Sequence, residues 1–387
     1  MADRLRHLVL FRSLREEPLI RALAALLDAT EGEAEARYLD LAAELYPRGT
    51  DLAQAIWGLL AADDNSYVRA SARGEKLPSE IGRWLKQELS VLQQAARPST
   101  EFCAQFKLKG ALPVWTAQPV DFSAEYRKLL KQAPVSGFGI FARYRVFSMA
   151  PDGSLQPVEH PDPQRLGELY GYEEEKEKLI CNTQALLRGL RANNVLLYGD
   201  AGTGKSSMVK AVLNEYGEQG LRLIQIEKDQ LHHIPALLDD LSENPLKFIL
   251  FIDDLSFTSN DRDFTALKTV LEGSVTARSR NTVVYATSNR RHLMKETFQS
   301  RQGDEIHLND TLEEVASLSA RFGIVITFGK PNRDLYLTLV SQIAEHYGLQ
   351  ESETELLQGA EAFALRSGGR SPRVARQYVE YKLAMIP

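Results

Sequence analysis

The chain has 387 residues, 44% of them hydrophobic and 25% charged, so it is too apolar for a disordered protein and long enough for two or three domains. Its 46 basic and 52 acidic residues give a net charge of −6, which argues against a surface that binds nucleic acid or anionic membrane throughout. Two cysteines exclude a disulfide framework and a cysteine-rich metal site, and we find neither a signal peptide nor a membrane-spanning apolar stretch. We therefore expect a cytoplasmic protein with no membrane partner.

Residues 1–97 are predicted to form a helical N-terminal domain. Two stretches repeat apolar residues at the spacing of one helix face, and Ser79 is the expected N-cap of the second. Such faces usually pack into a core, and a docking surface for a partner is the alternative. The apolar positions are Leu19, Leu23, Leu26 and Leu27 in the first stretch and Ile81, Trp84, Leu85, Leu89 and Leu92 in the second.

Residues 98–164 are predicted to form a mixed, irregular connecting segment, because proline, glycine and aromatic residues are frequent there. The string FGIFARYRVFSM favours one strand, and PDG, from Pro151 to Gly153, indicates a turn. The string HPDP, from His160 to Pro163, is typical of the end of a linker.

Residues 165–330 alternate short apolar strands with helices, and residues 331–387 are predicted to be helical. This alternation predicts an α/β domain with a mostly parallel sheet that is covered on both faces. The predicted strands begin at Asn194, Leu221, Phe248, Thr282 and Gly323, and the helical strings between and after them are SSMVKAVLNEYGEQ, PALLDDLSE, FTALKTVLEGSV, EEVASLSA, LYLTLVSQIAEHYG, ETELLQGAEAFALRS and SPRVARQYVEYKLAM.

The string GDAGTGKS matches the phosphate-binding pattern G-x-x-x-x-G-K-[ST] and lies between a predicted strand and a predicted helix. Its glycines let successive backbone N–H groups point at phosphate oxygens, and the N-terminus of the following helix favours an anion. Lys205 is expected to reach the β- and γ-phosphates, and the Ser206 hydroxyl to bind Mg²⁺. The predicted nucleotide contacts here are Gly199, Asp200, Ala201, Gly202, Thr203, Gly204, Lys205, Ser206 and Ser207.

Polar residues end two of the other predicted strands. Asp253 and Asp254 follow FILFI, where Asp253 is expected to hold the metal and Asp254 to orient and deprotonate the attacking water. Asn289, with Thr287 and Ser288 behind it, ends the next strand and would bind the γ-phosphate or position water. A helix cap or turn is the alternative for each aspartate, and an exposed turn is the alternative for Asn289.

The order of these motifs resembles that of the AAA+ ATPases and, in detail, that of a bacterial AAA-type family known as a domain of unknown function. The resemblance covers roughly residues 165–380. It implies a P-loop NTPase with a five-stranded parallel sheet of AAA+ type and a small helical lid. The strings that carry it are LYGYEEEKEKLICNT, NNVLLYGDAGTGKSS, FILFIDDLSF, YATSNRRHL, SLSARFGI and SGGRSPRVARQYV.

The resemblance also implies roles for individual residues. Asp253 matches the Walker B metal-site acid, and Asn289 matches the sensor on the strand between the two Walker strands. Arg321, in SARFG, matches an arginine finger that reaches the γ-phosphate of a neighbouring subunit. Arg373 matches the second sensor on a lid helix, in a string that is similar to the GTPRIA-type segment of branch-migration motors. The segment expected to pack around adenine is Leu169, Tyr170, Gly171 and Tyr172.

Alternatives stay open for both arginines, because an isolated arginine is usually a solvated charge or part of a surface ion pair. The adjacent pair Arg290–Arg291 would equally suit a contact with a partner or with nucleic acid. The competing positions are Arg370 for Arg373, and Arg290, Arg291 and Arg301 for Arg321.

Two features depart from the AAA+ pattern. Asp254 stands where these proteins generally carry glutamate, and its side chain reaches about 1.5 Å less far, which would slow hydrolysis more than binding. The segment EKDQLHHIPALL lacks the aromatic–glycine loop of peptide-threading motors. Its neighbouring His232 and His233 cannot face one metal from a helix, and we interpret them as surface or packing residues.

The leading hypothesis is an ATPase that uses ATP and Mg²⁺, works as a homo-oligomer and couples its nucleotide state to a partner of the N-terminal domain. Adenine is expected because no N-K-x-D guanine motif occurs. The alternatives are an ATP-gated binding module that hydrolyses slowly or not at all, and a DNA-associated loader or motor. The expected catalytic residues are Lys205, Asp253, Asp254, Asn289, Arg321 and Arg373, with Ser206 and Asp253 as metal ligands.

Overall fold

The computed structural model describes residues 1–255, 267, 271, 280–289 and 320–385. It divides into two compact units, Met1–Arg143 and Tyr144–Pro387. The predicted connecting segment 98–164 is therefore shared between the two units rather than standing between them. The predicted helices FTALKTVLEGSV and EEVASLSA lie almost entirely outside the described residues.

The N-terminal unit is helical and has one main apolar core. Leu23 and Leu89 from the first 97 residues share this core with Trp115 and Tyr126, so residues 98–143 complete it. Its helices are α1 (Ala2–Arg6), α2 (Pro18–Leu27), α3 (Ala34–Leu45), α4 (Leu52–Ala62), α5 (Ser66–Ala72), α6 (Ser79–Ala95), α7 (Ser99–Phe106), α8 (Phe122–Ser136) and α9 (Ile140–Arg143), with 3₁₀ turns at Arg12–Arg15 and Tyr46–Arg48.

The two predicted apolar faces lie on α2 and α6 and are largely confirmed as core. Leu19, Leu23 and Leu26 are buried on α2, and Leu85, Leu89 and Leu92 are buried on α6, whereas Leu27 and Ile81 are only partly buried. Trp84 was wrongly assigned to the core, since it is 45% exposed. Val91, two turns later on the same face of α6, is buried, so the exposure is confined to the start of the helix.

The predicted cap of α6 was also wrong. Pro78 has an extended backbone and occupies the N-cap position, and no side chain caps the helix. Ser79 is instead the first helical residue, and its hydroxyl donates a hydrogen bond to Oε1 of Glu80 at 3.1 Å.

The C-terminal unit contains a seven-stranded sheet with the order β2-β1-β4-β5-β6-β3-β7. Neighbouring strands are parallel except for β1 and β2. The five predicted strands are confirmed as β3 to β7, each beginning within one residue of the predicted position, but a sheet of five strands is too small. The strands are β1 (Val146–Met149), β2 (Leu155–Pro157), β3 (Val195–Gly199), β4 (Leu221–Gln225), β5 (Lys247–Ile252), β6 (Thr282–Asn289) and β7 (Ile324–Phe328).

The two additional strands come from the predicted connecting segment. β1 ends the string FGIFARYRVFSM and pairs in parallel with β4, with Phe147 opposite Ile224. After the predicted turn at Pro151 to Gly153, β2 pairs antiparallel with β1. The hairpin thus extends the parallel sheet at the β4 edge.

The central strands are buried because other elements cover them. In β5, the five residues Phe248–Ile252 are all buried, as expected for a parallel strand covered on both faces. The register places Gly199 of β3 opposite Asn289 of β6, and Ile252 of β5 opposite Ala286 of β6. The carboxyl ends of three neighbouring strands therefore meet at one edge. The α-helices described between β2 and β5 are α10 (Glu173–Leu187), α11 (Lys205–Tyr216) and α12 (Ile234–Ser242), with 3₁₀ turns at Leu166–Glu168, Gly217–Gln219 and Lys228–His233.

The last three helices form a bundle with an apolar core of its own, which we call the C-terminal bundle. They are α13 (Arg333–His346), α14 (Glu353–Arg366) and α15 (Pro372–Ala384). The core includes Leu339, Ala360 and Val379. Each helix begins at a side-chain cap, formed by Asn332, Ser352 and Ser371. Across the described parts of the chain, no helix combines the length and the apolar character needed to cross a membrane.

Candidate functional site

The glycine-rich loop connects β3 to α11, as predicted, and two of its glycines are required by close neighbours. Gly199 has a φ of +153°, and a Cβ there would lie 2.0 Å from the backbone oxygen of Phe328 on β7. Gly202 has a φ of +79°, and a Cβ there would lie 3.2 Å from Oγ of Ser371. Gly199 is therefore required by the backbone of β7, whereas Gly202 is favoured by its left-handed backbone and by the close approach of Ser371.

Lys205 begins α11 and is buried, with its ammonium surrounded by oxygen atoms. Nζ donates hydrogen bonds to the backbone oxygens of Gly199 (3.1 Å) and Asp200 (2.7 Å) and to Oδ1 of Asn289 (3.1 Å). Burial lowers the pKa of Lys205 from its ordinary value, while the nearby carboxylates of Asp200, Asp253 and Asp254 act in the opposite direction. These contacts hold a cation at the inner end of the loop.

Ser206 and Asp253 are joined directly. Oγ of Ser206 donates to Oδ1 of Asp253 at 2.6 Å. The same carboxylate oxygen accepts hydrogen bonds from Oγ1 of Thr287 (2.5 Å) and from the backbone N–H of Asp254 (3.2 Å). The hydroxyl and the carboxylate thus present hard oxygen donors at one point, as Mg²⁺ requires.

Asp254 and Asn289 are also joined. Asp254 has a left-handed backbone with a φ of +52°, and its N–H donates to Oγ1 of Thr287 at 2.9 Å. Nδ2 of Asn289 donates to Oδ1 of Asp254 at 2.7 Å, while Oδ1 of Asn289 accepts from Lys205. Asn289 therefore bridges the lysine of the loop and the second carboxylate of the DD pair.

Several cavities adjoin the loop, and two of them share lining residues on it. The first, which we call the polar cavity, has a volume of about 300 Å³, and the second, the apolar cavity, has a volume of about 240 Å³. Both are lined by Gly202, Gly204, Ser207 and Arg373. The polar cavity is further lined by Ala201, Lys205, Ser206, Asp253, Asp254, Thr287 and Asn289. The other residues around the apolar cavity include Leu169, Tyr170, Gly171, Tyr172, Thr203, Met208, Leu339 and Ile343.

The segment predicted to surround a base lies at the apolar cavity. Tyr172 has a left-handed backbone (φ +57°), its hydroxyl donates to the oxygen of Gly329 at 2.6 Å, and its ring lies 5.3 Å from that of Phe328. Burial raises the pKa of Tyr172 to about 12. A Cβ on Gly171 would lie 3.1 Å from Leu339 of α13, so this segment packs closely against the C-terminal bundle.

The arginines occupy different places. Arg373 lines both cavities, whereas Arg370 forms hydrogen bonds of 3.1 and 2.8 Å to the two carboxylate oxygens of Glu361. Arg373 is therefore better placed than Arg370 to contact a ligand. Arg321 is half-buried just before β7 and lines neither cavity. The competing positions Arg290, Arg291 and Arg301 lie outside the described residues.

Other residues enter the site without having been predicted as functional. Thr287 was expected only behind Asn289, yet it contacts Asp253 directly. Gln164 and Arg376 line the apolar cavity. Arg376 follows Arg373 by three residues on a helix, a spacing that shares a face, whereas no sequence signal distinguishes Gln164.

The two neighbouring histidines lie away from these cavities. His232 and His233 have ring centroids 4.0 Å apart, and Nε2 of His233 lies 3.2 Å from the backbone oxygen of Pro151 in the hairpin turn. The described residues contain no group of three or more histidine, cysteine, aspartate or glutamate side chains that could hold a metal ion. His232 is exposed and His233 is half-buried against the hairpin turn, which agrees with their interpretation as surface or packing residues.

A glycine-rich loop between a buried parallel strand and a helix, with carboxylates at a neighbouring strand end, is the arrangement of P-loop nucleotide-binding proteins. The chain belongs to the family described as "protein of unknown function (DUF815)", whose family model matches residues 142–385. The N-terminal unit lies almost wholly outside that match.

The chain is also similar to curated proteins named Holliday junction branch migration complex subunit RuvB. It is 29% identical to the protein of Salinibacter ruber over 175 residues, which is 41% of this chain and 51% of that protein. It is 30% identical to the protein of Synechococcus sp. (strain CC9902) over 191 residues, which is 45% of this chain and 55% of that protein. The chain thus spans about half the length of the curated relatives it matches, and the similarity supports an AAA+ ATPase at the level of the family.

Solved structures that match part of the chain include the Thermotoga maritima RuvB Holliday junction branch migration motor. Its TM-score is 0.35, with 14% identity over 58% of this chain and 72% of that one. Another is the Aeropyrum pernix ORC2 protein in ADPNP–ADP complexes, with a TM-score of 0.36 and 15% identity over 58% of this chain and 70% of that one.

Proposed function

We propose that this protein binds ATP together with Mg²⁺ and hydrolyses it to ADP and phosphate. The observation that carries the proposal is the convergence of Lys205, Ser206, Asp253 and Asn289 on the polar cavity, with Ser206 Oγ 2.6 Å from Asp253 Oδ1. These residues come from the loop after β3 and from the ends of β5 and β6. The proposal assigns one ligand to both cavities, with phosphates in the polar one and adenine in the apolar one.

Different residues around the two cavities would bind the phosphates and the base. Backbone N–H groups of the loop and the N-terminus of α11 would bind phosphate oxygens, and the Lys205 ammonium would exchange its backbone acceptors for the β- and γ-phosphates. Leu339, Ile343 and Tyr170 line the apolar cavity and would contact the base, and Tyr170 itself packs against the core of the bundle. A base in this cavity would therefore contact the C-terminal bundle and also Leu169 and Tyr172, which pack on the core of the sheet.

The site suits Mg²⁺ because this ion prefers oxygen ligands and retains several waters, so one hydroxyl and one carboxylate suffice beside phosphate oxygens. Ser206 and Asp253 would hold the ion in this way. When bound, Mg²⁺ neutralises part of the phosphate charge.

Asp254 would accept the proton of the attacking water, and Asn289 would set its orientation through the 2.7 Å hydrogen bond. The leaving ADP then departs with the β-phosphate charge stabilised by Lys205 and by Arg373 from the same chain.

The short side chain of Asp254 favours slow turnover. A nucleotide-gated binding module that hardly hydrolyses ATP is therefore the second function we consider, and the N-terminal unit would contact its partner.

We further propose that the active form is a homo-oligomer. Arg321 matches the arginine-finger position and lines neither cavity of its own chain, so a contact with a γ-phosphate would have to be made at the site of a neighbouring subunit. An arginine supplied in this way accelerates phosphoryl transfer by about 10³–10⁵-fold.

A test of the proposed function is Mg²⁺-dependent release of phosphate from ATP, measured as a single turnover with enzyme in excess. We expect the wild-type protein to convert bound ATP to ADP and Asp253→Asn to lose at least about a hundredfold in rate, because the carboxylate at the Ser206 hydroxyl is gone. Asp240→Asn, an exposed position on α12, serves as the matched control and should behave like wild type. Hydrolysis that is unchanged by Asp253→Asn would contradict the proposal, and ATP that stays bound for hours would favour the gated module.

The RuvB names of the relatives make DNA the macromolecule to test as a partner. The net charge of −6 does not favour it, so any contact would need a local basic site. Salt-dependent retention on duplex DNA that disappears in an Arg290→Ala/Arg291→Ala double variant would support a DNA-associated ATPase. Retention equal to that of a non-basic control protein would exclude it.

A further inference from the structure

Gln164, at the end of the string HPDPQ, is buried although it is polar. Only 7% of it is exposed. Its side-chain oxygen accepts hydrogen bonds from Nη1 (3.0 Å) and Nη2 of Arg376, and its side-chain nitrogen donates to Oγ of Ser207 at 3.2 Å. The amide is oriented this way because the opposite orientation would face its nitrogen to donors and its oxygen to acceptors.

The backbone around Gln164 is fixed on α11. Nδ2 of Asn214 donates to the backbone oxygens of both Asp162 and Gln164 at 2.8 Å. Oδ1 of Asp162 also accepts the N–H of Gln164 at 3.1 Å. Asn214 lies on α11, which begins at Lys205, so these hydrogen bonds fix the HPDP string relative to the start of that helix.

The side chain of Gln164 therefore connects two parts that face each other across the apolar cavity. Ser207 lies in the first turn of α11, beside the loop, and Arg376 lies in α15 of the C-terminal bundle. All three residues line that cavity. One turn earlier in α15, the N–H of Arg373 donates to the oxygen of Gly202 at 3.2 Å, so the bundle contacts the phosphate-binding region at two neighbouring points.

We propose that Gln164 and Arg376 form a latch that holds α15 against the first turn of α11 and so sets the width of the nucleotide cavity. This proposal rests on the proposed nucleotide binding and concerns how that binding is regulated. The position of the C-terminal bundle, and of Arg373 within it, would depend on the side-chain amide of Gln164, which belongs to none of the predicted nucleotide-binding motifs. Gln164 is proposed as a positioning residue because its side-chain hydrogen bonds go to Ser207 and Arg376, and any contact that it makes with a base at the cavity wall is separate from the latch. A hydrogen bond between a neutral amide and a guanidinium is stronger than one between neutral groups, and burial strengthens it further.

Calorimetry of Mg²⁺–ADP binding to the full chain tests the latch. We expect Gln164→Ala and Arg376→Ala each to weaken binding by about ten- to a hundredfold, the range for loss of a buried hydrogen bond to a charged group. The double variant should bind no more weakly than the weaker single variant, because both remove the same contact. Gln219→Ala and Arg366→Ala, at exposed positions of the same unit, are the matched controls and should bind like wild type.

A conservative variant separates positioning from a general loss of structure. Gln164→Glu keeps an oxygen that accepts from Arg376, so it should bind Mg²⁺–ADP more tightly than Gln164→Ala. This advantage should vanish when Arg376→Ala is added. Thermal unfolding of every variant without nucleotide identifies any variant that fails to fold. If Gln164→Ala fails to fold, the affinities of Gln164→Glu with and without Arg376→Ala still test whether Gln164 acts through Arg376.

The outcomes distinguish the latch from the proposed function. A wild-type protein that binds neither Mg²⁺–ADP nor Mg²⁺–ATP would overturn nucleotide binding itself and the latch with it. If the wild type binds, three results would each overturn the latch while leaving nucleotide binding intact. The first is wild-type affinity in the single variants, and the second is a purely additive loss of affinity in the double variant. The third is tighter binding by Gln164→Glu than by Gln164→Ala that persists when Arg376→Ala is added.

Discussion

Asp254 combines a shortened acidic side chain with a left-handed backbone, and both features bear on catalysis. Its φ of +52° is tolerated far better by aspartate than by most residues with longer side chains, since a short polar group hydrogen-bonds locally. Its carboxylate is already held by Asn289. The local fold therefore suits aspartate even where the reach to water does not.

We predict that Asp254→Glu raises the single-turnover rate of ATP hydrolysis by about tenfold or more, because the carboxylate gains about 1.5 Å of reach toward the water. The same substitution should lower stability by about 1 kcal/mol, since glutamate is less tolerant of the left-handed region. Rapid-quench measurement and thermal unfolding check the two effects. Asp254→Asn is the control that cannot accept the proton, and a rate for Asp254→Glu at or below wild type would remove reach as the cause of slow turnover.

Single residues in the site were predictable to different degrees. Lys205, Ser206, Asp253 and Asn289 stand in patterns that follow from strand ends and a glycine loop, and the structure brings them together, although their roles remain predictions. Thr287 and Gln164 could not be assigned because their side-chain partners lie 33 residues or more away in the chain. A threonine in a strand or a glutamine after a proline is also compatible with many structures.

At the scale of elements, the junction between β3 and β7 is the tightest point of the loop. The Cβ of an alanine at position 199 would lie 2.0 Å from the backbone oxygen of Phe328, and backbone atoms cannot move aside as a flexible side chain can. We predict that Gly199→Ala lowers the free energy of unfolding of the C-terminal unit by about 2 kcal/mol or more, through overpacking and strain.

Chemical denaturation monitors this change. Gly329→Ala is the matched control, because no atom lies within 4 Å of its added Cβ and it directly follows the same β7 strand. Equal destabilisation by both substitutions would show that the close approach at Gly199 is not the cause.

The N-terminal unit contains a buried acidic pair with an expected pH signature. Burial raises the pKa of Asp63, against hydrogen bonds from Ser13 and Asn65, and the neighbouring Asp64 and Glu88 add to the rise. Nearby, Glu88 is itself buried and accepts backbone N–H groups, such as that of Phe11 at 3.1 Å.

A carboxyl group whose pKa is raised in the folded state stabilises the fold below its unfolded pKa of about 4, and this contribution is lost as the pH rises through the folded value. We predict that the unfolding temperature of wild type minus that of Asp63→Asn decreases as the pH rises from about 4 toward neutrality. The exposed Asp40→Asn is the control for substituting an acid. A difference that is flat or rises with pH would contradict the assigned burial effect.

Strands and helices were predictable where one physical signal dominated. The apolar runs that became β3 to β6 are buried on both faces, so their composition alone identifies them. β7 lies at the edge of the sheet with Val325 and Thr327 exposed, but its run of β-branched residues still marks it as a strand. β2 has only three residues, is largely exposed, and depends on pairing with β1, so no local pattern marks it. The exposure of Trp84 at the start of α6 shows the same limit, because the neighbours of a helix cannot be found from its own periodicity.

At the scale of the whole molecule, the sequence divides into a part with recognisable motifs and a part without. The family match covers residues 142–385, and Met1–Arg143 forms a separate helical core. Its core could be anticipated from helical periodicity. The contribution of residues 98–143 was missed, although Phe122 and Tyr126 are one turn apart on α8, because frequent proline and glycine residues around that helix indicated irregular structure. We propose that this unit contacts the partner whose engagement depends on nucleotide state.

Assembly is predicted to govern activity. If Arg321 acts on a neighbouring subunit, Arg321→Ala and Lys205→Ala should each be inactive alone, because one lacks the finger and the other lacks the nucleotide site. Mixing them should restore part of the hydrolysis, since intact nucleotide sites of the first would meet intact fingers of the second. Steady-state phosphate release from mixtures of the two variants at several ratios measures this recovery of activity. The control replaces Arg321→Ala with Arg366→Ala, a substitution at an exposed arginine of the same unit.

The concentration dependence of wild type gives a second view of assembly. Specific activity should fall by about 10³-fold or more when the protein is diluted to a monomer verified by light scattering. A monomer as active as the concentrated protein, or mixtures no more active than their components, would contradict action between subunits.

The most direct test of the account is calorimetric titration of Mg²⁺–ATP into wild type, Lys205→Ala and Lys210→Ala, the last being a lysine of the same helix that lines neither cavity. The account predicts Mg²⁺-dependent binding to wild type and Lys210→Ala, and a loss of about a hundredfold or more in affinity for Lys205→Ala. No uptake by wild type, or equal affinity for all three proteins, would contradict a triphosphate site at this loop.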